Sequence, residues 1–360
     1  MTAQVFDLAA YRRLGEPQAG VPELEYETPL FIDWLTVRQV HPGGGLPVVC
    51  DGWTTVTDRD GAIERETVMR NEVEGSFDSR MWLRCDGNSV EFHGNIARYS
   101  RPDNVFGFGW SETIRRVNGL LNLHSLPPFT AGEQARYADS GVVWTGARVS
   151  RIDVTMNYAC FSEADAQRVI FALGQHRVGR QQGTVSPDAG TVMYGYGSKY
   201  VSQKVYIKHN ELLRHRRTKH GAHVDPEVIE WCRDLGVIRE ELTLKSRFLT
   251  QTGLCWLGEI TGDHLQQVYH ERSQFRRFRE MEIKDTSHLS PGARGTLARH
   301  EQGEPHGLKK ATFYRHRAEI LKATGVDISV PRNVEKIVLP VKVIEIQALV
   351  APEWYRRKSG

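Results

Sequence analysis

A chain of 360 residues with 47 basic and 44 acidic side chains, 40% hydrophobic residues and a mean hydropathy of −0.45 can bury substantial cores, in two domains or in one elaborated domain. It has no run of about 20 apolar residues, which excludes a membrane-spanning helix, and its N-terminus, MTAQVFDLAAYRRLGEP, lacks a signal peptide's apolar centre. The cysteines at 50, 85, 160, 232 and 255 are never in CxxC spacing, so they read as reduced thiols in a cytoplasm and argue against a zinc site.

In chain order, residues 1–28 form a loose acidic lead-in, and FIDWLTV (31–37) is a strand rich in β-branched and aromatic residues. After the turn-rich HPGGGLP (41–47), hairpins are expected at 53–69, turning at Asp60-Gly61, and at 81–95, turning at Asp86-Gly87. Residues 111–126 have a Ser cap and helical apolar spacing, 148–159 form a strand, and 162–177 form a capped helix. A hairpin is expected over 191–209, a helix over 226–236, and over 237–249 a strand that turns helical toward its end. From 286 the chain breaks into three short helical segments that read as a helix-turn-helix-like element, and 337–350 alternates as a closing strand or hairpin.

This order implies an α+β fold with a largely antiparallel central sheet, flanking helices and a C-terminal helical DNA-binding element. FIDWLT (31–36) and RIDVTM (151–156) each set Ile-Asp on a strand upstream of a hairpin, which is compatible with a duplicated βαβ-like unit. The domain division expected is a lead-in (1–28), a catalytic region (29–285) and a DNA-binding region with its closing strand (286–360).

The net charge of +3 is unevenly distributed. Basic clusters at 212–220, 273–280, 308–317 and 354–360, several with aromatics inside, suit a polyanion, because Lys and Arg release counterions from phosphates and rings stack on unpaired bases. In the third cluster Lys309, Lys310, Tyr314, Arg315 and Arg317 are the candidate DNA contacts.

Residues 204–211, KVYIKHNE, turn Val205 and Ile207 to a core and set Lys204, Tyr206 and Lys208 on the opposite face. The same alternation gives Glu91 and His93 a non-core face in SVEFHGN, Arg151, Asp153 and Thr155 one in SRIDVTM, and Arg239, Glu241, Thr243 and Lys245 one in VIREELTLK. If these strands are neighbours, carboxylates and a histidine meet a tyrosine and a lysine. Such groups can hold Mg²⁺ or Mn²⁺ on a phosphodiester, let a tyrosine attack phosphorus, and stabilise the leaving oxygen.

FIDWL (31–35), VEFHGN (90–95), DNVFG (103–107), SRIDVT (150–155), VYIKHNEL (205–212), REELTLKSRFL (239–249) and PEWY (352–355), in this order, resemble the gene II/X type replication initiators of filamentous phages, relatives of plasmid rolling-circle initiators. The resemblance implies a metal-dependent, site-specific DNA nickase and strand transferase. Its Tyr206 would become joined to the 5′ end of the nick, with Lys208 beside it. Glu91, Asp153 and Glu241 match acidic positions of the family's motifs, with His93 a further ligand candidate where relatives carry lysine; Asp33 either belongs to the site or supports the end of its strand. The histidine-hydrophobe-histidine pair of the wider rolling-circle class is not visible. Expected partners are double-stranded origin DNA, the displaced single strand, and a host helicase and polymerase, with no membrane, in the cytoplasm of a bacterial host.

Two other readings stand beside this one. A non-catalytic, sequence-specific DNA-binding protein, such as a replication repressor, needs the basic clusters but not the acid, tyrosine and lysine set. A tyrosine recombinase would use a C-terminal tyrosine, where Tyr355 stands, but lacks the Arg and His residues upstream. Tyr194, Tyr196 and Tyr200 are alternative attackers to Tyr206.

Overall fold

The computed structural model describes residues 29–355 apart from 51, 69–70, 75–79, 100, 138–140, 176, 179–180, 187–189, 217–223, 276–288, 302–304, 325, 330–343 and 345. The expected lead-in, most of the 273–280 and 354–360 clusters and the 337–343 part of the closing strand lie outside the described residues.

Strand β1 (Leu30–Val40) is followed by the hairpin of β2 (Trp53–Thr57) and β3 (Ile63–Val68), then by β4 (Asn71–Glu74), β5 (Arg80–Cys85), β6 (Ser89–Gly94) and helix α1 (Trp110–Leu123). A hairpin of β7 (Gln134–Tyr137) and β8 (Gly141–Trp144), not anticipated from the sequence, precedes β9 (Arg148–Ala159) and α2 (Glu163–Gln175). Next come the short β10 (Arg177–Val178), β11 (Gln181–Gln182) and β12 (Thr184–Val185), then β13 (Thr191–Tyr194) and β14 (Val201–Ile207). Helices α3 (Lys208–Arg216) and α4 (Pro226–Asp234), strand β15 (Val237–Lys245), and helices α5 (Ser246–Thr252), α6 (Gly262–Arg272), α7 (Pro291–Glu301) and α8 (Lys310–Thr324) follow, with β16 (Gln347–Ala348) last.

The main sheet runs β12-β13-β14-β15-β9-β1-β6-β5-β4, with β16 added to β9, and its neighbours pair antiparallel. Its centre is the β1–β9 pair, the two strands that carry the Ile-Asp echo. Outward from β1 the order is β6-β5-β4, and outward from β9 it is β15-β14-β13. Each half is therefore a founding strand plus a three-strand meander whose last strand returns beside the founder. The halves share this strand order but not a βαβ plan. Helix α1 follows the first meander, α2 precedes the second, and antiparallel return needs no crossover helix.

One face of the sheet is apolar. Ile32, Leu35, Val37, Phe92, Ile152, Val154, Leu242 and Leu244 pack against α1, α5 and α6, and Val205, Ile207 and Ile238 against α2. The opposite face is covered at one end, where Phe31, Phe106 and Val237 meet α3, α4, Ala351 and Tyr355. Two sequence expectations move here. The N-cap of α1 is Gly109 rather than Ser111, without a side-chain hydrogen bond. The 191–209 hairpin ends at Ile207, because Lys208 already begins α3.

C-terminally, α7 and α8 pack through Leu289, Ala293, Leu297, Ile320 and Ile328. Two helices, rather than three, lie among the described residues of 286–328.

Candidate active site

The polar face can be built from register alone. Tyr206 pairs with Arg239, Lys204 with Glu241, Glu241 with Thr155, and Thr243 with Asp153. Beyond β9, Asp153 pairs with Trp34, and a bulge between Ile32 and Trp34 inserts Asp33 as an extra residue. That bulge turns Asp33 and Trp34 onto one face while Ile32 and Leu35 stay in the core. Strand adjacency thus gathers Asp33, Asp153, Glu241, Tyr206 and Arg239 from four neighbouring strands.

Tyr206 is 2% exposed and donates its hydroxyl to Glu241 Oε1 at 2.5 Å. Burial, then the Glu241 charge, raises its pKa well above the ordinary phenol value, while Arg239 opposes the shift. Lys204 Nζ lies 4.0 Å from the ring centroid and Lys208 Nζ 5.9 Å.

Arg239, opposite Tyr206 on β15, is fully buried and lies 5.2 Å from the Phe31 ring centroid. It donates to Asn157 Oδ1 at 2.9 Å and to the carbonyls of Asn104 and Val105 at 2.5 and 2.6 Å, and it stands 3.8 Å from Asp33. Burial opposes its charge, but Tyr206, Asp33, Glu241 and Glu211 around it more than compensate.

Lys208 is also fully buried and donates to Glu211 Oε2 at 2.7 Å and Asn104 Oδ1 at 2.8 Å. Burial and Arg239 lower its pKa. Burial alone would raise Glu211, but Lys208, one helical turn earlier, brings it down to about 2.

The segment Asp103–Phe108 forms the rim. Asn104 bridges Lys208 and Asp33, donating to Asp33 Oδ1 at 3.2 Å, and Asn95 donates to the same oxygen at 2.9 Å. A side chain at Gly107 would collide with the Phe31 ring, so glycine lets the rim lie against β1. Asp103 accepts from the Tyr355 hydroxyl at 2.5 Å, and the Phe106 amide donates to the same hydroxyl at 3.4 Å. Tyr355, the recombinase reading's nucleophile, is thus a buried tie that holds the rim.

Not all sequence candidates converge. Asp153 is gripped by Arg151 through bonds of 2.9 and 2.6 Å, and burial raises its pKa despite that partner. Burial, then Asp33, raises Glu241. Glu91 and His93 stand apart, 3.5 Å from each other, with Arg38 3.4 Å from Glu91. Glu91 pairs with Arg38, four residues along β1 from the Trp34 that faces Asp153, an offset of about 13 Å. Among the described residues no three His, Cys, Asp or Glu side chains form a ready-made cation cage.

Of the C-terminal candidates, Lys309, Lys310, Tyr314 and Arg315 are exposed on or beside α8. Arg317 is instead engaged within the fold, bonded to Asp327 at 2.6 and 2.7 Å. Among the alternative tyrosines, Tyr194 is buried and donates to the Leu173 carbonyl, whereas Tyr196 and Tyr200 are exposed near the β13–β14 turn. Sequence reading set Arg239 on the polar face of its strand without giving it a role, and it missed Asn104 and Glu211 as parts of the site. Of those two only Glu211 left a signal, its i,i+3 spacing from Lys208.

Residues 31–267 match the family model for the N-terminal part of the gene II type Replication-associated protein, and residues 293–360 match the model for its C-terminal part. The chain is 26% identical over 353 residues to the Replication-associated protein of this type from Enterobacteria phage I2-2, covering 90% of this chain and 96% of the relative. It is 27% identical over 318 residues to the protein of that name from Escherichia phage If1, covering 76% and 96%. A solved rolling circle replication initiator protein from Geobacillus stearothermophilus is similar at 10% identity and a TM-score of 0.25, over 62% of this chain and 77% of that one.

Proposed function

This chain belongs to the gene II type replication-associated protein family, and from that premise we propose that it nicks one strand of a phage origin and keeps the 5′ end on Tyr206 while rolling-circle replication proceeds. The observation that carries the reading is the hydrogen bond from the Tyr206 hydroxyl to Glu241, with Arg239 opposite Tyr206 on the neighbouring strand.

In the nicking step the phenol oxygen attacks phosphorus, its proton passes to Glu241, and the bond from phosphorus to the 3′ oxygen breaks. Lys208, whose lowered proton affinity makes its ammonium a better acid, supplies the proton that the 3′ oxygen takes up. The products are a 5′-phosphotyrosine and a 3′ hydroxyl. In reverse, a 3′ hydroxyl attacks the phosphotyrosine and reseals the strand. Arg239 offsets charge on the phenolate, and Lys204, lying over the ring, is the side chain that an arriving phosphate draws aside.

Mg²⁺ or Mn²⁺ fits this site as a cation shared with DNA. Mg²⁺ commonly binds through one or two carboxylates plus substrate phosphate, so a caged triad is not required. Asp153, Asp33 and Glu241 are the carboxylates that would hold it; burial first, and the Asp33 charge after it, raises the proton affinity of Asp153 and Glu241, and a cation would offset both. It would supply charge neutralisation at the phosphate. Glu91 and His93, set apart from these three, carry no part of this assignment.

Lys309, Lys310, Tyr314 and Arg315 on the α7–α8 unit are the proposed contacts to double-stranded origin DNA, and a host helicase and polymerase, acting in the bacterial cytoplasm, would extend the 3′ end. The test is incubation with supercoiled origin DNA and Mg²⁺. The nickase gives open circles and loses activity with chelator, whereas a non-catalytic repressor leaves the supercoil intact.

A further inference from the structure

The polar face holds a feature that the nicking chemistry does not use. Trp82 of β5 pairs with His93 of β6, His93 with Thr36 of β1, Thr36 with Arg151 of β9, and Arg151 with Lys245 of β15. These residues form one row across five strands, about 19 Å long at ~4.8 Å per strand. On β9 and β15 the row lies two residues from the Asp153–Thr243 pair, so that end borders the candidate site, and from there it runs outward across β1, β6 and β5.

The β1 bulge adds a second indole to the row. The Trp34 ring centroid is 5.8 Å from that of Trp82, and the Arg151 guanidinium is 5.0 Å from the Trp34 centroid. Both indoles are half-buried on a face open enough to leave the Arg38 side chain 55% and the Arg151 side chain 42% exposed. Arg38 and Arg148 pair side by side in the next row. Neither ring belongs to a core cluster: the main core lies on the other side of the sheet, and the apolar cover on this face is built by other residues around Phe31, Phe106 and Val237.

Rings interleaved with guanidinium groups are the chemistry that holds unpaired nucleotides, the rings stacking on bases and the cations meeting phosphates. A duplex keeps its base faces inside its own stack and cannot use the rings. We propose that this row is a track for single-stranded DNA in which Trp34 and Trp82 stack the bases of the strand whose phosphate enters the Tyr206 site. The proposal rests on reading that neighbouring site as the nicking centre.

The test uses the full chain carrying Tyr206→Phe, which binds without cutting, with oligo-dT as the single-stranded probe and the matching duplex as control. Replacing both Trp34 and Trp82 with alanine should weaken oligo-dT binding roughly a hundredfold, about tenfold per ring, and leave duplex affinity unchanged. Trp34→Phe with Trp82→Phe, which keeps a stacking ring and the packing, should retain most of the affinity. Unchanged oligo-dT binding, equal losses on both probes, or a phenylalanine variant as weak as the alanine one would each overturn the track. Covalent-adduct mapping on the native chain judges the nicking reading separately. An adduct away from Tyr206 together with loss of oligo-dT binding in the alanine variant would keep the track and discard that nucleophile.

Discussion

Glu241→Gln keeps the shape of the side chain and removes the charge that receives the Tyr206 proton. The 2.5 Å contact already places the carboxylate within proton-transfer reach, so the loss should be that of a general base, ~10²–10⁴ in rate or about 3–5 kcal/mol. Single-turnover nicking of origin DNA, followed against pH, reads this directly. The base must be ionised, and burial and then Asp33 raise its pKa, so the wild-type rate should climb with pH through a value above the ordinary glutamate range. In the variant that acid limb should move.

The same substitution should stabilise the fold. A carboxyl whose folded pKa is raised contributes stability that is present below its unfolded pKa and lost as pH rises through the folded value. Once pH has risen through that folded value the wild type has lost this contribution, while the amide cannot ionise. The variant should therefore melt higher above that value, by a margin that shrinks as pH falls. Nicking within a few-fold of wild type, or an unmoved acid limb, would refute the reasoning.

Asp153→Ala should abolish Mg²⁺-dependent nicking while Glu91→Ala leaves it within a few-fold, because only Asp153 shares the tyrosine's surroundings; the paired nicking assay decides, and equal losses would contradict it. Tyr355→Phe removes the tie from its hydroxyl to Asp103 and should lower the maximal nicking rate several-fold without changing origin affinity, as rate and binding titrations would show. Reversing Lys309, Lys310 and Arg315 to glutamate should weaken origin binding and flatten its salt dependence by about one unit of slope per lost phosphate contact, measured by titration at several salt concentrations.

The strands were legible because one face of each is buried and the other polar, so alternation in RIDVTM or LTLK shows directly. The Ile-Asp echo pointed to two halves, and each motif does found a half-sheet, but the βαβ-like plan expected from it gives way to antiparallel meanders. What alternation could not show was neighbourhood. Arg239 reads as one more cation on a polar strand face until pairing with β14 and β9 places it opposite Tyr206 and beside Asn157. Its neighbour Glu240 points to the core face, where Tyr269, Ser273 and the Gln274 amide satisfy it, a set assembled only by packing. The metal candidates illustrate the same limit. Glu91 and Asp153 share a face, but register sets them far apart along it, and register depends on a bulge at Asp33 that no residue pattern announces. Arg317 looked like a DNA contact because Asp327, its partner, lies ten residues away across the end of α8.

The central claim is that Tyr206 is the nucleophile. Wild-type protein and Tyr206→Phe should be reacted with origin DNA labelled on the 3′ side of the nick, the fragment that carries the 5′ phosphate, and the trapped covalent adduct digested and mapped by mass spectrometry. The account predicts a 5′-phosphotyrosine at Tyr206 in the wild type, and in the variant normal origin binding with neither adduct nor nick. An adduct on Tyr196 or Tyr200 with Tyr206 unmodified, or a Tyr206→Phe variant that still nicks, would contradict it.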